Sequence, residues 1–129
     1  MAEETTETTF DIVMLAKQNS RFRKVVKTGD HSQVVLMSIP PGGEIGLETH
    51  PGIDQTLVFV EGNGEAVLNG ETTPVKANDL SFVKAGTEHN FLNTGDSDLK
   101  LYTVYAPPEH APGTVHDTKT DADTAEEDH

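Results

Sequence analysis

Two stretches of this 129-residue chain carry most of the side chains that could do chemistry. The first, Gly42 to Gly62, holds Glu48, His50, Asp54 and Gln55; the second, Asn78 to Asn93, holds His89. Imidazole, carboxylate and amide oxygen are borderline-to-hard donors. Two histidines, one glutamate and one glutamine together suit one divalent transition metal: Mn, Fe(II), Co, Ni or Zn. The chain has no cysteine, which excludes a thiolate nucleophile, a disulfide framework and a Cys-ligated metal or iron–sulfur site. No Ser-His-Asp grouping with an elbow motif, Gly-rich phosphate loop or pair of catalytic carboxylates points to another chemistry.

For Glu48 and His50 to address one point they must share a face, as residues i and i+2 of a strand do. Gln55 opens an apolar run with Leu57 and Phe59 at its parity, and His89 opens another with Phe91 and Asn93. Asp54 carries the charge that Gln55 lacks, but alternation turns it away from that point and leaves it a supporting or surface group.

The elements that must position these residues are short. From Phe22 onward, β-branched and aromatic runs (FRKVVK, SQVVLMSI, QTLVFVE, GEAVLNG, LSFVKA, HNFLN, LKLYTVY) alternate with turn residues, which predicts an all-β sandwich or barrel. Asn69-Gly70, between GEAVL and TTPVK, predicts a tight hairpin, because a type I′ turn needs positive φ at both central residues. Phe10 to Gln18 is either a short helix or an irregular entry segment. The length supports one domain, with no repeat and no helix long enough for a βαβ unit.

In this setting the sequence resembles a small single-domain cupin. Gly42, Glu48, His50, Gln55 and Gly62 occupy the places of the family's first motif, G-x5-H-x-H-x3-4-E-x6-G. Asn78, Lys84, Gly86, His89 and Asn93 occupy those of the second, G-x5-P-x-G-x2-H-x3-N. From Phe22 to Lys119 the chain is similar to stand-alone cupins labelled mannose-6-phosphate (sugar-phosphate) isomerase-like. The resemblance implies a double-stranded β-helix, the cupin jelly-roll barrel, with the metal held by Glu48, His50, Gln55 and His89. It also implies a homodimer, with the early run Phe22 to Lys27 as a candidate edge for pairing with a second copy. Two departures bear on the metal: Glu48 stands at the first motif histidine and Gln55 at the motif glutamate. The carboxylate has moved across the site, and the protein ligands keep a charge of −1. Asn78 tolerates the left-handed turn geometry of the glycine it replaces, and Lys84 replaces a proline.

Two functions follow. The first is a metalloenzyme of isomerase, lyase or oxygenase type, acting on a small oxygen-rich or carbonyl-containing metabolite in the barrel. The second is a non-catalytic metal or small-ligand binding module, since the fold hosts both. For the enzyme, Pro107 to Thr118 would fold back as a lid and bring His116 or Tyr105 to the ligand as acid or base; otherwise His110 and His116 are exposed loop histidines. Phe59 and Phe91, with Phe82 and Tyr102, either line the cavity or form plain core. A phosphosugar would need clustered Arg or Lys, and Arg21, Arg23 and Lys24 lie on an early edge segment, so the isomerase label ranks below the general reading.

The net charge of −13 argues against nucleic acid and anionic membrane partners. The opening residues Met1 to Thr9 carry three acids and no base, unlike a secretory n-region, and no apolar run reaches membrane-spanning length, so the expected location is cytoplasmic. The acids crowd the ends: Glu3, Glu4 and Glu7 precede Phe10, and seven of the 22 follow Tyr105. The expected organisation is a disordered acidic N-terminus (1–9), a cupin domain (10–120) and a disordered acidic tail (121–129). His31 and His129 are expected at a surface turn and in the tail.

Overall fold

Turn residues cut the β-branched runs into short pieces, and the computed structural model, which describes residues 4–127, folds those pieces into two antiparallel sheets. After helix α1 (Ile12–Gln18) come β1 (Arg23–Thr28), β2 (Gln33–Ile39), β3 (Asp54–Glu61), β4 (Asn63–Leu68), β5 (Glu71–Lys76), β6 (Leu80–Val83), β7 (His89–Asn93), β8 (Leu99–Ala106) and β9 (Val115–His116). Helix α2 (Lys119–Glu127) follows. The larger sheet has the order β6-β3-β8-β2-β1-β9 and the smaller β5-β4-β7. The β4–β5 turn is at Asn69 (φ 49°) and Gly70 (φ 83°), both in the left-handed region that the Asn-Gly pair admits at low cost.

Strand parity sorts the side chains. Gln55, Leu57 and Phe59 point inward from β3, and His89, Phe91 and Asn93 from β7, all buried. Met37, Leu57, Phe59, Phe91, Leu99 and Leu101 belong to the interior cluster. Phe59 and Phe91 stand 6.0 Å apart ring to ring within it, so they are core. Phe82 and Tyr102 do not line a cavity as considered from the sequence. Phe82 is exposed on the outer face of β6, and Tyr102 packs outside the larger sheet in the α1 cluster with Ala16, Val26, Leu36 and Val60. Asp11 caps α1 by accepting from Met14 N, and the Lys100 ammonium donates to Lys17 O and Asn19 O at its far end.

Both ends differ from the sequence expectation. Residues 1–3 and 128–129, including His129, lie outside the described residues, but Glu4 is held: its carboxylate accepts from Thr28 N, Thr28 Oγ1 and Gly113 N. At the other end, Thr118 Oγ1 accepts from Asp121 N and starts α2, and Ala122 is buried in the interior cluster. A capped helix with one small apolar residue facing the core is thus present up to Glu127, where a loose tail was expected. Strand β1 is not an open edge, because β9 pairs with it at Arg23↔His116 and Lys24↔Val115.

Candidate functional site

The segment before β3 runs alongside β7: Glu48 N donates to His89 O and His89 N to Glu48 O, each at 2.9 Å. This bridge sets Glu48 beside His89. His50 follows on the same side, with its Nε2 3.6 Å from Glu48 Oε2 and its ring centroid 5.2 Å from that of His89. His50 O accepts from Gly86 N, tying the segment to the loop that carries His89. The ring of Tyr105 stands edge-on to His50 at 6.2 Å.

Gln55 reaches the interior from the opposite sheet. Gln33, Tyr105, Gln55 and Val83 lie in register across β2, β8, β3 and β6, and all four are buried. The Gln55 amide nitrogen donates to Thr103 Oγ1 at 3.1 Å, and that hydroxyl in turn donates to Thr56 O. The amide is therefore oriented, and its oxygen is buried with no hydrogen-bond partner among the described residues. A buried acceptor left unmade costs about 1–3 kcal/mol, so the arrangement calls for an occupant. Asp54 points outward, as alternation requires, and accepts from Ala85 N in the loop before β7.

His89 is prepared as a donor atom. Its Nδ1 lies 2.8 Å from Thr87 O, a carbonyl that can only accept, so Nδ1 carries the proton and Nε2 the lone pair. Burial, with a contribution from the neighbouring His50, pushes its pKa below the ordinary 6.5. Among the described residues, however, no three His, Asp or Glu side chains are gathered as a ready metal set. Glu48, His50 and His89 stand near one another but do not form such a set by themselves.

Beside His50 opens a cavity of about 650 Å³. Glu48 and His50 line one side; Arg23, Glu109, His110 and His116 also line it. The segment after β8 thus returns to the site. Gln33 holds it there, accepting from Glu109 N and His110 N and donating to His110 O. Glu109 Oε2 stands 3.8 Å from His50 Nδ1. His110 packs edge-on to Tyr105 at 5.2 Å and is not the exposed loop histidine considered from the sequence. Burial, Arg23, His116 and His50 together push its pKa down to about 3. His31 lies exposed, as expected.

Sequence reasoning left Arg23 out of the site because it placed the early basic residues on an edge. Arg23 is only 3% exposed. It shares the parity of the buried Val25, which was the available signal. Its Nη1 donates to His116 Nδ1 at 3.3 Å, and the guanidinium carbon lies 5.4 Å from the centre of the Phe22 ring. Because a guanidinium only donates, His116 Nδ1 accepts, and the proton of its neutral ring sits on Nε2.

Comparison with known proteins places the chain in a family. Residues 35–105 match the model of the cupin domain. The YrkC protein of Bacillus subtilis is 48% identical over 118 residues, covering 86% of this chain and 63% of that protein. The oxalate-binding protein of Thermotoga maritima is 37% identical over 68 residues, 53% of this chain and 56% of that one. The chain thus spans less than two-thirds of the length of these curated relatives. The crystal structure of the BH2720 protein from Bacillus halodurans superimposes with a TM-score of 0.92 at 40% identity, covering 96% of this chain and 99% of that one. Among the described residues no helix is long and apolar enough to cross a membrane.

Proposed function

The chain belongs to the cupin family, and we propose that it is a divalent-metal cupin in which Glu48, His50, Gln55 and His89 hold the ion at the head of the cavity. The observation that carries the reading is the Gln55 amide, fixed by Thr103 with its buried oxygen unpartnered. His89 supports it, because Thr87 takes the Nδ1 proton and leaves Nε2 as the ligating atom. The 3.6 Å between Glu48 Oε2 and His50 Nε2 is close to the separation of two donors that share one ion through bonds of about 2.1 Å. One carboxylate and three neutral donors fit Mn, Fe(II), Co, Ni or Zn.

Bound there, such an ion supplies Lewis-acid polarisation of a carbonyl or hydroxyl oxygen, or a position for O2. The chain's own residues do the rest. Glu109, His110 and His116 line the wall of the cavity. His116, with its proton on Nε2, would donate a hydrogen bond to a ligand oxygen, and Tyr105, edge-on to His50, would be the group for proton transfer. The substrate class is a small oxygen-rich or carbonyl-containing metabolite, and the reaction is of isomerase, lyase or oxygenase type.

A second reading, a non-catalytic metal or small-ligand binding module, is favoured by the Thermotoga relative, whose name describes binding. Elemental analysis of untagged protein purified without chelators, beside a His50→Ala, His89→Ala double variant, tests the metal. Wild type should carry one ion per chain and the variant none. Absence of metal from both, with no melting shift on adding Mn, Fe(II), Co, Ni or Zn, would refute the metal reading. Turnover lost in His116→Gln and Tyr105→Phe with metal retained separates the enzyme from the binding module.

A further inference from the structure

We infer that Arg23 is a ligand anchor, and that the cavity takes a small carboxylic acid whose carboxylate it clamps. The inference deepens the proposed function and rests on it for the ligand's second anchor, at Glu48 and His50. A guanidinium cannot shed its charge, and Arg23 is 97% removed from solvent on its 3% exposure. Among the described residues no carboxylate lies within 4.0 Å of it. Among the described residues its one hydrogen bond to a side chain goes to a neutral acceptor, His116 Nδ1, and its buried Nε has no partner. Phe22 packs against the guanidinium, whose carbon lies 5.4 Å from the centre of its ring. A buried, permanent cation with no carboxylate beside it, lining a cavity of about 650 Å³, lacks a counter-charge that an anionic ligand would bring.

The charge balance of the wall selects the anion. Arg23 is the cavity's only Lys or Arg among its described lining residues, and it faces Glu48 and Glu109. One guanidinium matches the single negative charge and planar oxygens of a carboxylate. A dianionic phosphate would meet two carboxylates with only one cation to offset them. His110, whose buried Nε2 also lacks a partner, borders the same space and stays neutral, so it adds a polar contact without adding charge. Arg23 thereby sets both the class of ligand and its orientation, with the carboxylate at β1 and the remaining oxygen functions toward His50.

Isothermal titration with acetate, lactate, pyruvate and malonate, in EDTA and again with Mn(II), tests this on wild type, Arg23→Lys, Arg23→Gln and Arg21→Gln. Propane-1,2-diol, which is lactate with its carboxylate replaced by a neutral group, and inorganic phosphate are the comparison probes. At least one carboxylate should bind wild type and Arg21→Gln equally, and Arg23→Lys about tenfold more weakly because the fork is lost. Binding to Arg23→Gln should be undetectable, and diol and phosphate should not distinguish wild type from it. Ligand-free Arg23→Gln should melt no lower than wild type, since it relieves an unpaired charge. The inference is overturned if none of the four acids binds, if Arg23→Gln binds them as wild type does, if phosphate displaces them at equal concentration, or if Arg23→Gln melts lower or loses its fold. Mn(II) titrated alone keeps the two readings apart. Metal binding without Arg23-dependent carboxylate binding overturns this inference only, and the converse overturns the metal reading only.

Discussion

Moving from pH 7.5 to pH 5.5 should cost the folded protein about 1.4 kcal/mol through His110 alone. The ring is packed against Tyr105, its Nε2 is buried and unpartnered, and burial, Arg23, His116 and His50 hold its pKa at about 3. In the unfolded chain the same imidazole titrates near its ordinary value of 6.5. Between those two values the unfolded state binds more protons than the folded one, so stability is complete above about 6.5 and falls as the pH drops toward 3. From pH 7.5 to 5.5 the protonation of the unfolded imidazole changes its weight by about tenfold, which is the 1.4 kcal/mol. The figure does not depend on how far below 5.5 the folded group titrates. Urea unfolding at the two pH values, in EDTA, should show His110→Phe losing about 1.4 kcal/mol less than wild type. His89, whose pKa is also lowered, adds to the loss in both proteins and cancels in the difference. An equal pH dependence in the two proteins would refute the burial argument.

Saturating metal, at about 100 times its dissociation constant, should stabilise wild type by about 2.7 kcal/mol and the His50→Ala, His89→Ala variant not at all, read as a melting shift. Lys100→Met removes an ammonium that donates to Lys17 O and Asn19 O, and urea unfolding should show a loss of about 2–3 kcal/mol as the end of α1 frays. A Cβ at Gly64 would stand 2.3 Å from Leu92 O in the neighbouring strand, so Gly64→Ala should destabilise by about 3 kcal/mol or fail to fold, measured by the same method. Glu4→Gln replaces the carboxylate that ties down Thr28 and Gly113, and hydrogen exchange at those two amides should accelerate relative to wild type.

Strand parity carried much of the site. Gln55 in and Asp54 out, and His89, Phe91 and Asn93 in together, follow from alternation along strands with one buried face, which is a local property. The Asn69-Gly70 hairpin was likewise local, since φ preferences belong to the residues themselves. Phe82 and Tyr102 show where that reasoning stops. Their composition suits a barrel interior, but the pairings of β6 with β3 and of β8 with β2 turn them to the outer face. The tail was misjudged for a related reason: acidic composition argues against a core, but a single buried Ala122 and a Thr118 cap need little hydrophobicity to seat α2.

The sequence by itself determined the fold class, the cupin resemblance and the identity of the four candidate ligands, because periodicity, turn chemistry and motif spacing are written along the chain. Only the tertiary structure decided what surrounds them. Arg23 and His116 are 93 residues apart and meet because β9 pairs with β1. Gln33 and His110 are 77 apart and meet because a buried glutamine amide holds the returning segment. Whether a histidine is neutral, or an arginine is left without a counter-charge, depends on burial and on distant neighbours. Those are properties of the folded ensemble of side chains, and no local pattern along the chain encodes them.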